Sequence, residues 1–275
     1  MMTGVRASLG PLQALRDHWP EYLIEAWALG MFMLSAALFS TLLFAPGSPV
    51  LGVLPSADLR RALVGVCMGL TAVALIYSPW GKRSGAHMNP AVTLTFLRLQ
   101  KIAPWDAVYY VLAQFLGGLA GVQLAVALLR DAFAEAPVRY AVTLPGSQGV
   151  TAAFAAEVTI SALLMGVILL LSNAPRYARF TGLCAGAMVA VYITFEAPLS
   201  GMSMNPARSF ASAFPIRLWQ DLWIYFTAPV LGMQLAAAWY QRRRGRQAVG
   251  CAKLLHPDDQ RCIHCGFVPD AAARP

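Results

Sequence analysis

Two asparagines in separate halves of the chain, Asn89 and Asn205, each open an Asn-Pro-Ala triplet. Asparagine caps a helix well and proline suits the first helical position, so each triplet reads as the start of a helix. A helix start carries partial positive charge. One triplet alone is an ordinary helix beginning. Here there are two at corresponding places, one preceded by Ser84-Gly85-Ala86-His87-Met88 and the other by Gly201-Met202-Ser203-Met204. Together they supply two positive ends and two amide donors that can act on one molecule. Such a pair would turn the oxygen of a passing polar molecule toward the amides, interrupt a hydrogen-bonded proton wire, and repel hydronium and metal cations. Arg208 lies in the same short stretch as the second triplet. A charged residue among apolar neighbours is costly in lipid, so it must face water or a partner.

A second constellation stands near the end of the sequence. Cys251, His256, Cys262 and Cys265, with His264 between the last two cysteines, have the ligand types of a Cys₃His zinc site. Cys262-Ile263-His264-Cys265-Gly266 is similar to one knuckle of a zinc ribbon. Only one Cys-x-x-Cys is present, and a pair of redox-active or unliganded cysteines accounts for the same residues. If metal is bound, it would order the tail and could bear on the cytoplasmic mouth of a pore. Cys67 and Cys184 lie in apolar segments, so the cysteines do not form a secreted disulfide framework. Two carboxylates, Glu25 and Glu157, also sit in apolar segments, where they could relay protons or accept hydrogen bonds. Glu196 has no assigned role.

Long apolar elements must carry these groups. The chain of 275 residues is 58% hydrophobic and 12% charged, with a mean hydropathy of +0.56. A soluble domain carries about 25% charged residues, and half that leaves too few to coat a water-facing surface. The excess apolar residues therefore face lipid. At about 1.5 Å rise per residue, a span takes roughly 20 residues. Six segments meet that length: 21–45, 60–78, 105–129, 150–171, 180–198 and 222–240. Breaks such as Pro46-Gly47, Pro145-Gly146 and Asn173-Ala174-Pro175 separate them. Two stretches, 89–99 and 205–214, are too short to span, and these begin at the triplets. Irregular backbone at membrane depth occurs only where it is buried or lines a cavity. Two such interrupted segments in corresponding places point to a site at the midplane. No cleavable leader is evident, and the first apolar segment reads as an uncleaved insertion signal.

The halves repeat. Gly65-Val66-Cys67-Met68-Gly69 answers Gly182-Leu183-Cys184-Ala185-Gly186, Tyr110 to Gly117 answers Tyr225 to Gly232, and Glu25 answers Glu157. Three spans per half force the second copy upside down, so the two short helices enter from opposite faces. Gly117, Gly118, Gly121, Gly182, Gly186 and Gly232 are small residues that let membrane helices approach closely. One side of the membrane collects Arg6, Arg16, Lys82, Arg83, Arg98, Lys101, Arg176, Arg179, Arg242, Arg243, Arg244 and Arg246. The other keeps Arg60, Arg61, Arg130, Arg139, Arg208 and Arg217. The richer side is expected to be cytoplasmic and to hold both termini, which accounts for the net charge of +8 without nucleic acid.

Ser84-Gly85-Ala86-His87-Met88-Asn89-Pro90-Ala91-Val92-Thr93 and Ser203-Met204-Asn205-Pro206-Ala207-Arg208-Ser209-Phe210 resemble the two signature loops of the aquaporin, or major intrinsic protein, family. The resemblance covers about residues 20–240. It implies an all-α membrane protein with six transmembrane helices plus two half-helices in an inverted repeat. Residues 21–240 would form the channel, with a cytoplasmic N-terminal segment over 1–20 and a basic, Cys/His-containing tail over 241–275. By the same resemblance Asn89, Pro90, Ala91, Asn205, Pro206 and Ala207 form the pore centre, and Arg208 forms a constriction with Met68, Ile193 and Met202. Glu25, Glu157 and His87 would support the loops. The family also implies a homotetramer with a pore in each protomer, a multi-pass protein of the cell (inner) membrane, and no cofactor for transport.

The constriction departs from the family's water-selective pattern. Those members tend to place Phe and His where this chain has Met, Ile and Met, leaving Arg208 as the one strong donor beside apolar, partly flexible walls. That argues against strict water selectivity. Other marks lean to the water type: Ser209 stands where glycerol channels of the family usually carry Asp, and Ala213 and Tyr225-Phe226 fit as well. The expected function is a passive channel for water or small neutral solutes. A facilitator of glycerol, urea, ammonia or an undissociated metalloid acid is the alternative, and a metal-sensing membrane protein with a vestigial pore is a rival of another class. No catalytic triad, phosphate loop or dinucleotide motif is present, so enzymatic activity is not expected.

Overall fold

The structure, a computed structural model, describes residues 9–245, 247–256 and 259–269. Arg6 and Arg246, counted above toward orientation, lie outside the described residues. Six long helices form: α1 (Pro11–Phe44), α2 (Ala57–Tyr77), α4 (Pro104–Leu129), α5 (Gly149–Ser172), α6 (Thr181–Phe195) and α8 (Leu222–Arg244). Two short ones start at the prolines of the triplets, α3 (Pro90–Arg98) and α7 (Pro206–Ala213). There is no strand among the described residues. The six long helices, with α6 counted from the preceding turn Ala178–Phe180, are long and apolar enough to cross a membrane.

Four boundaries differ by three residues or more from the hydropathy reading, α2 starting at Ala57 and α8 running on to Arg244 among them, and the other two have a local reason. The first helix begins at Pro11, well before the apolar run. His18 Nδ1 and Tyr22 OH both bond Asp106 Oδ1 on α4, at 2.8 and 2.6 Å, which anchors this polar first part. Hydropathy marks where lipid begins, not where helix begins. At the other boundary α6 ends at Phe195, because Pro198 has no N–H to continue the ladder. The carbonyl of Thr194, four residues before it, accepts from Arg61 Nε at 2.8 Å instead.

Packing follows the small residues. Within each half the first and third long helices run together, α1 along α4 and α5 along α8, and α2 meets α6 across the halves. A Cβ on Gly117 would stand 2.0 Å from the Ala26 carbonyl oxygen, and one on Gly232 would stand 2.2 Å from that of Val158. Gly69 and Gly186 face each other's backbone in the same way. Gly118 is looser, its nearest neighbour atom being 3.3 Å from such a Cβ. Large apolar side chains such as Leu38, Leu70, Leu116, Leu163 and Leu235 point outward. Trp19, Trp80, Trp105, Trp219, Trp223 and Trp239 are also exposed toward helix ends, as in the aromatic belts of membrane proteins.

The short helices lodge crosswise. α3 of the first half packs on α8 of the second, where Arg98 Nη1 donates to the Gln234 carbonyl at 2.9 Å. α7 of the second half packs on α4 of the first, where Phe210 and Phe115 meet edge to face at 5.5 Å. Neither half contains its own short helix as a finished unit.

Candidate functional site

Each triplet is held by a buried carboxylate on the first helix of its half. Glu25 accepts from Ser84 Oγ (2.8 Å), His87 N (3.0 Å), Met88 N (2.6 Å) and Gln114 Nε2 (2.9 Å). Glu157 accepts from Ser200 Oγ (2.8 Å), Ser203 N (2.6 Å) and Met204 N (2.7 Å). Both glutamates are fully buried. The donors occupy equivalent loop positions, and so do Tyr110 and Tyr225, whose hydroxyls donate to the Ser84 and Ser200 carbonyls at 2.7 and 2.6 Å. These loop N–H groups thus find an acceptor, as buried backbone requires. The loops also need left-handed backbone at matching places: Gly85 and Gly201, Ala86 and Met202, Met88 and Met204.

The two loops meet tip to tip. Asn89 Nδ2 donates to the Met204 carbonyl at 2.6 Å, and Asn205 Nδ2 donates to the Met88 carbonyl at 2.7 Å. The amide oxygens face the other way and cap their own helices, Asn89 at Ala91 N and Asn205 at Ala207 N and Arg208 N. Each amide keeps a second N–H for the cavity that both side chains line. Pro90, Ala91, Pro206 and Ala207 are buried and form the first turns behind them.

That cavity has a volume of about 400 Å³ and runs between the halves from Arg61 and Phe44 past both asparagines to Leu254. Met68, Ile193, Met202 and Arg208 all line it. The guanidinium of Arg208 has Ser212 Oγ, at 3.4 Å, as its hydrogen-bond partner among the described residues, so most of its donors are left to the cavity. Sequence spacing had not singled out Val64, Ala72, Ile76 and Val189, which continue the apolar wall. Their signal was the four-residue stagger from Met68 and Ile193 along α2 and α6. Of the subgroup marks, Ser209, Ala213 and Tyr225 are packed groups, while Phe226 is exposed. Ser209 is buried and bonds Thr143 Oγ1 and Ser203 Oγ at 2.7 and 2.6 Å, and Ala213 is buried. Glu196 is 8% exposed, and its carboxylate oxygens have no hydrogen-bond partner among the described residues.

The Leu254 end of the cavity is covered by the tail, which touches the first loop there. His87, stacked on Phe96, bonds Thr93 Oγ1 through Nδ1 at 3.0 Å and donates from Nε2 to the Ala252 carbonyl at 2.6 Å. Leu254 N donates to the Gly85 carbonyl at 3.2 Å. His264 Nε2 lies 3.1 Å from the Ser84 carbonyl, and its ring is parallel to that of His87. Burial, with His87 beside it, lowers the His264 imidazole to about 3, so the ring is neutral and Nε2–H can donate. Gly250 N donates to Asn173 Oδ1, and Arg261 to the Asp17 carbonyl, fastening the segment at both sides.

Within the tail, Cys251, His256, Cys262 and Cys265 converge. Their ligand atoms lie within 4.8 Å of one another. Cys251 Sγ is 3.4 Å from Cys262 Sγ, and His256 Nε2 is 3.2 Å from Cys265 Sγ. All three thiols are free. Bonds to the Cys262 and Cys265 thiols raise His256 to about 9. Bonds from Cys251 and Cys262 hold the Cys265 thiol far below its usual range, while donating to Cys262 and Cys265 pushes Cys251 far above.

The family model described as "Major intrinsic protein" matches residues 17–240. Among curated relatives, a putative aquaporin NIP4-1 of Arabidopsis thaliana is 39% identical over 173 residues, covering 62% of this chain and 59% of that protein. Aquaporin NIP2-3 of Zea mays is 37% identical over 199 residues, covering 71% and 62%. The chain spans about 60% of the length of such relatives. Among solved structures, the aquaglyceroporin from Plasmodium falciparum superposes with a TM-score of 0.68 at 20% identity, covering 82% of this chain and 96% of that one, which shows the fold.

Proposed function

Because the chain belongs to the major intrinsic protein family, we propose that it is a passive membrane channel for water or small neutral solutes. The family is one of channels rather than enzymes. The observation that carries the reading is the crossed pair of asparagine amides midway along a cavity between the two halves. Two helix N-termini and two amide donors orient the permeant's oxygen and disfavour cations there. Arg208 with Met68, Ile193 and Met202 is read as the selectivity filter, and Glu25, Glu157 and His87 as the supports of the loops. With one strong donor and three apolar walls, the filter favours a neutral permeant, and the same walls support a facilitator of larger neutral solutes as the second reading.

Residues 21–240 are read as the channel, flanked by segments 1–20 and 241–275 on the cytoplasmic side of a cell membrane, as the Lys and Arg distribution supports. A homotetramer is the assembly read from the family. Transport needs no cofactor in this reading, and Cys251, His256, Cys262 and Cys265 are read as a zinc site. Stopped-flow light scattering of proteoliposomes, with a sucrose and then a glycerol shock, tests the channel beside an Arg208→Ala control. Shrinkage no faster than that of empty liposomes, with the tail released as described below, would overturn it.

A further inference from the structure

Residues 250–256 and 259–269 form no helix or strand, yet parts of them are as buried as the channel core. Ala252 is 0% exposed, Lys253 2% and Leu254 4%. Leu254 lines the same cavity as Asn89 and Asn205. At the inner mouth, the Ser84 and Gly85 carbonyls and His87 Nε2 are engaged by His264, Leu254 and Ala252. Groups that would meet permeating water at an open mouth are therefore bonded to the tail. A Cβ on Gly85 would lie 3.1 Å from Lys253 Cγ, so the mouth and the tail are in direct contact.

So short a segment needs something besides an apolar core to hold this shape. Its own backbone bonds are few, among them Cys262 N to the Phe267 carbonyl at 2.9 Å and Gly266 N to the Cys262 carbonyl at 3.0 Å. Those two close the turn that presents Cys262 and Cys265 together. Docking also carries a cost, because Lys253 Nζ is buried with no hydrogen-bond partner among the described residues. The four converging ligand groups answer both points. Tetrahedral zinc bonds sulfur at about 2.3 Å and nitrogen at about 2.0 Å, which sets ligand atoms roughly 3.5–3.8 Å apart. The spacing of Cys251, His256, Cys262 and Cys265 is close to that, and a bound ion would supply the stabilisation the segment lacks.

We infer that these four residues bind one zinc ion, and that the zinc-closed tail is a plug seated in the inner mouth of the pore, so that losing the metal opens the channel. The inference rests on the channel and zinc readings above. Zinc displaces the thiol protons and closes residues 251–265 into one loop. Leu254 is thereby fixed on the permeation axis and His264 on the Ser84 carbonyl. Without the metal, the buried Lys253 and the few remaining bonds no longer favour docking.

The test uses full-length protein in proteoliposomes, with metal content by elemental analysis and water flux by stopped-flow light scattering. The expected result is one zinc per chain. Shrinkage should be slow, should speed up several-fold on adding a membrane-permeant zinc chelator, and should slow again when zinc is restored. Leu254→Ala should keep its zinc and shrink fast without chelator. Cys262→Ser combined with Cys265→Ser should lose zinc and shrink fast. Purified protein without zinc, or with a Cys251–Cys262 disulfide in its place, overturns the metal site. Zinc present, with flux that neither chelation nor Leu254→Ala changes, overturns the plug, and flux above empty liposomes would then leave the channel reading standing. No flux in any form overturns the channel reading, and the plug with it.

Discussion

Asn89 and Asn205 each donate to the carbonyl that precedes the other, so the centre of the pore is a reciprocal pair of hydrogen bonds, 2.6 and 2.7 Å long, between the two halves. Asn205→Asp replaces the donor with an acceptor-only group, loses the bond to Met88, and puts negative charge where two helix dipoles point. The expected outcome is slower water flux together with a proton or cation leak absent from the wild type. A pH-sensitive dye trapped in proteoliposomes reads it, and an unchanged proton permeability would show that the charge at this position does not guard the pore.

Glu25 and Glu157 satisfy loop donors that no solvent can reach. Glu157→Ala leaves Ser200 Oγ, Ser203 N and Met204 N without their acceptor. A buried unsatisfied group costs about 1–3 kcal/mol, so a loss of at least that size is expected, with Glu25→Ala comparable. Thermal unfolding of the detergent-solubilised protein measures it, and both variants should also lose flux.

Close helix contact in each half needs glycine. Gly117→Ala and Gly232→Ala drive a methyl group into the Ala26 and Val158 carbonyls. Overpacking costs about 1–3 kcal/mol, and more where backbone must move, so each should sharply lower the melting temperature and the yield of monodisperse protein. Gly166 is the control: nothing lies within 4 Å of its added Cβ. Gly166→Ala should be neutral or stabilising by about 0.5–1 kcal/mol.

The filter reading is tested by restoring a polar wall. Ile193 faces the cavity that Arg208 lines. Ile193→His adds a second hydrogen-bonding side chain and narrows the passage, so glycerol entry should fall relative to water flux. Equal glycerol-to-water ratios in the two proteins would remove Ile193 from the filter.

Lys253 opposes docking of the tail. Lys253→Met keeps the length of the side chain and removes a buried ammonium that has no hydrogen-bond partner among the described residues. Zinc should then bind more tightly by about tenfold or more, equivalent to about 1.4 kcal/mol, in competition with a chromophoric chelator. Chelation should open the channel more slowly. Weaker zinc binding would mean that the ammonium is satisfied in the docked state.

The asparagine loops were legible because their information is local: Asn and Pro at a helix start, repeated at a matching place, specify both the short helices and their meeting. The equivalence of Glu25 and Glu157 was legible from the same repeat. The start of α1 at Pro11 was not, since it depends on Asp106 answering His18 and Tyr22 from another helix. Pro198 marks the end of α6 locally, but nothing local names Arg61 of α2 as the group that takes up the Thr194 carbonyl. Least legible were the bonds that seat the tail. Cys251, His256, Cys262 and Cys265 advertised their chemistry, but the bond from His87 to the Ala252 carbonyl joins residues far apart in sequence and leaves no periodicity.

The crosswise lodging of α3 and α7 makes the pore a seam between two pieces rather than the interior of either one. Its geometry is therefore set by registration, as in a dimer, and is completed only when both halves are in place. A slide of one half along the other would disturb both asparagine bonds at once, because both cross the seam. The same seam makes severed halves complementary: each would present a vacant groove shaped for the other's short helix.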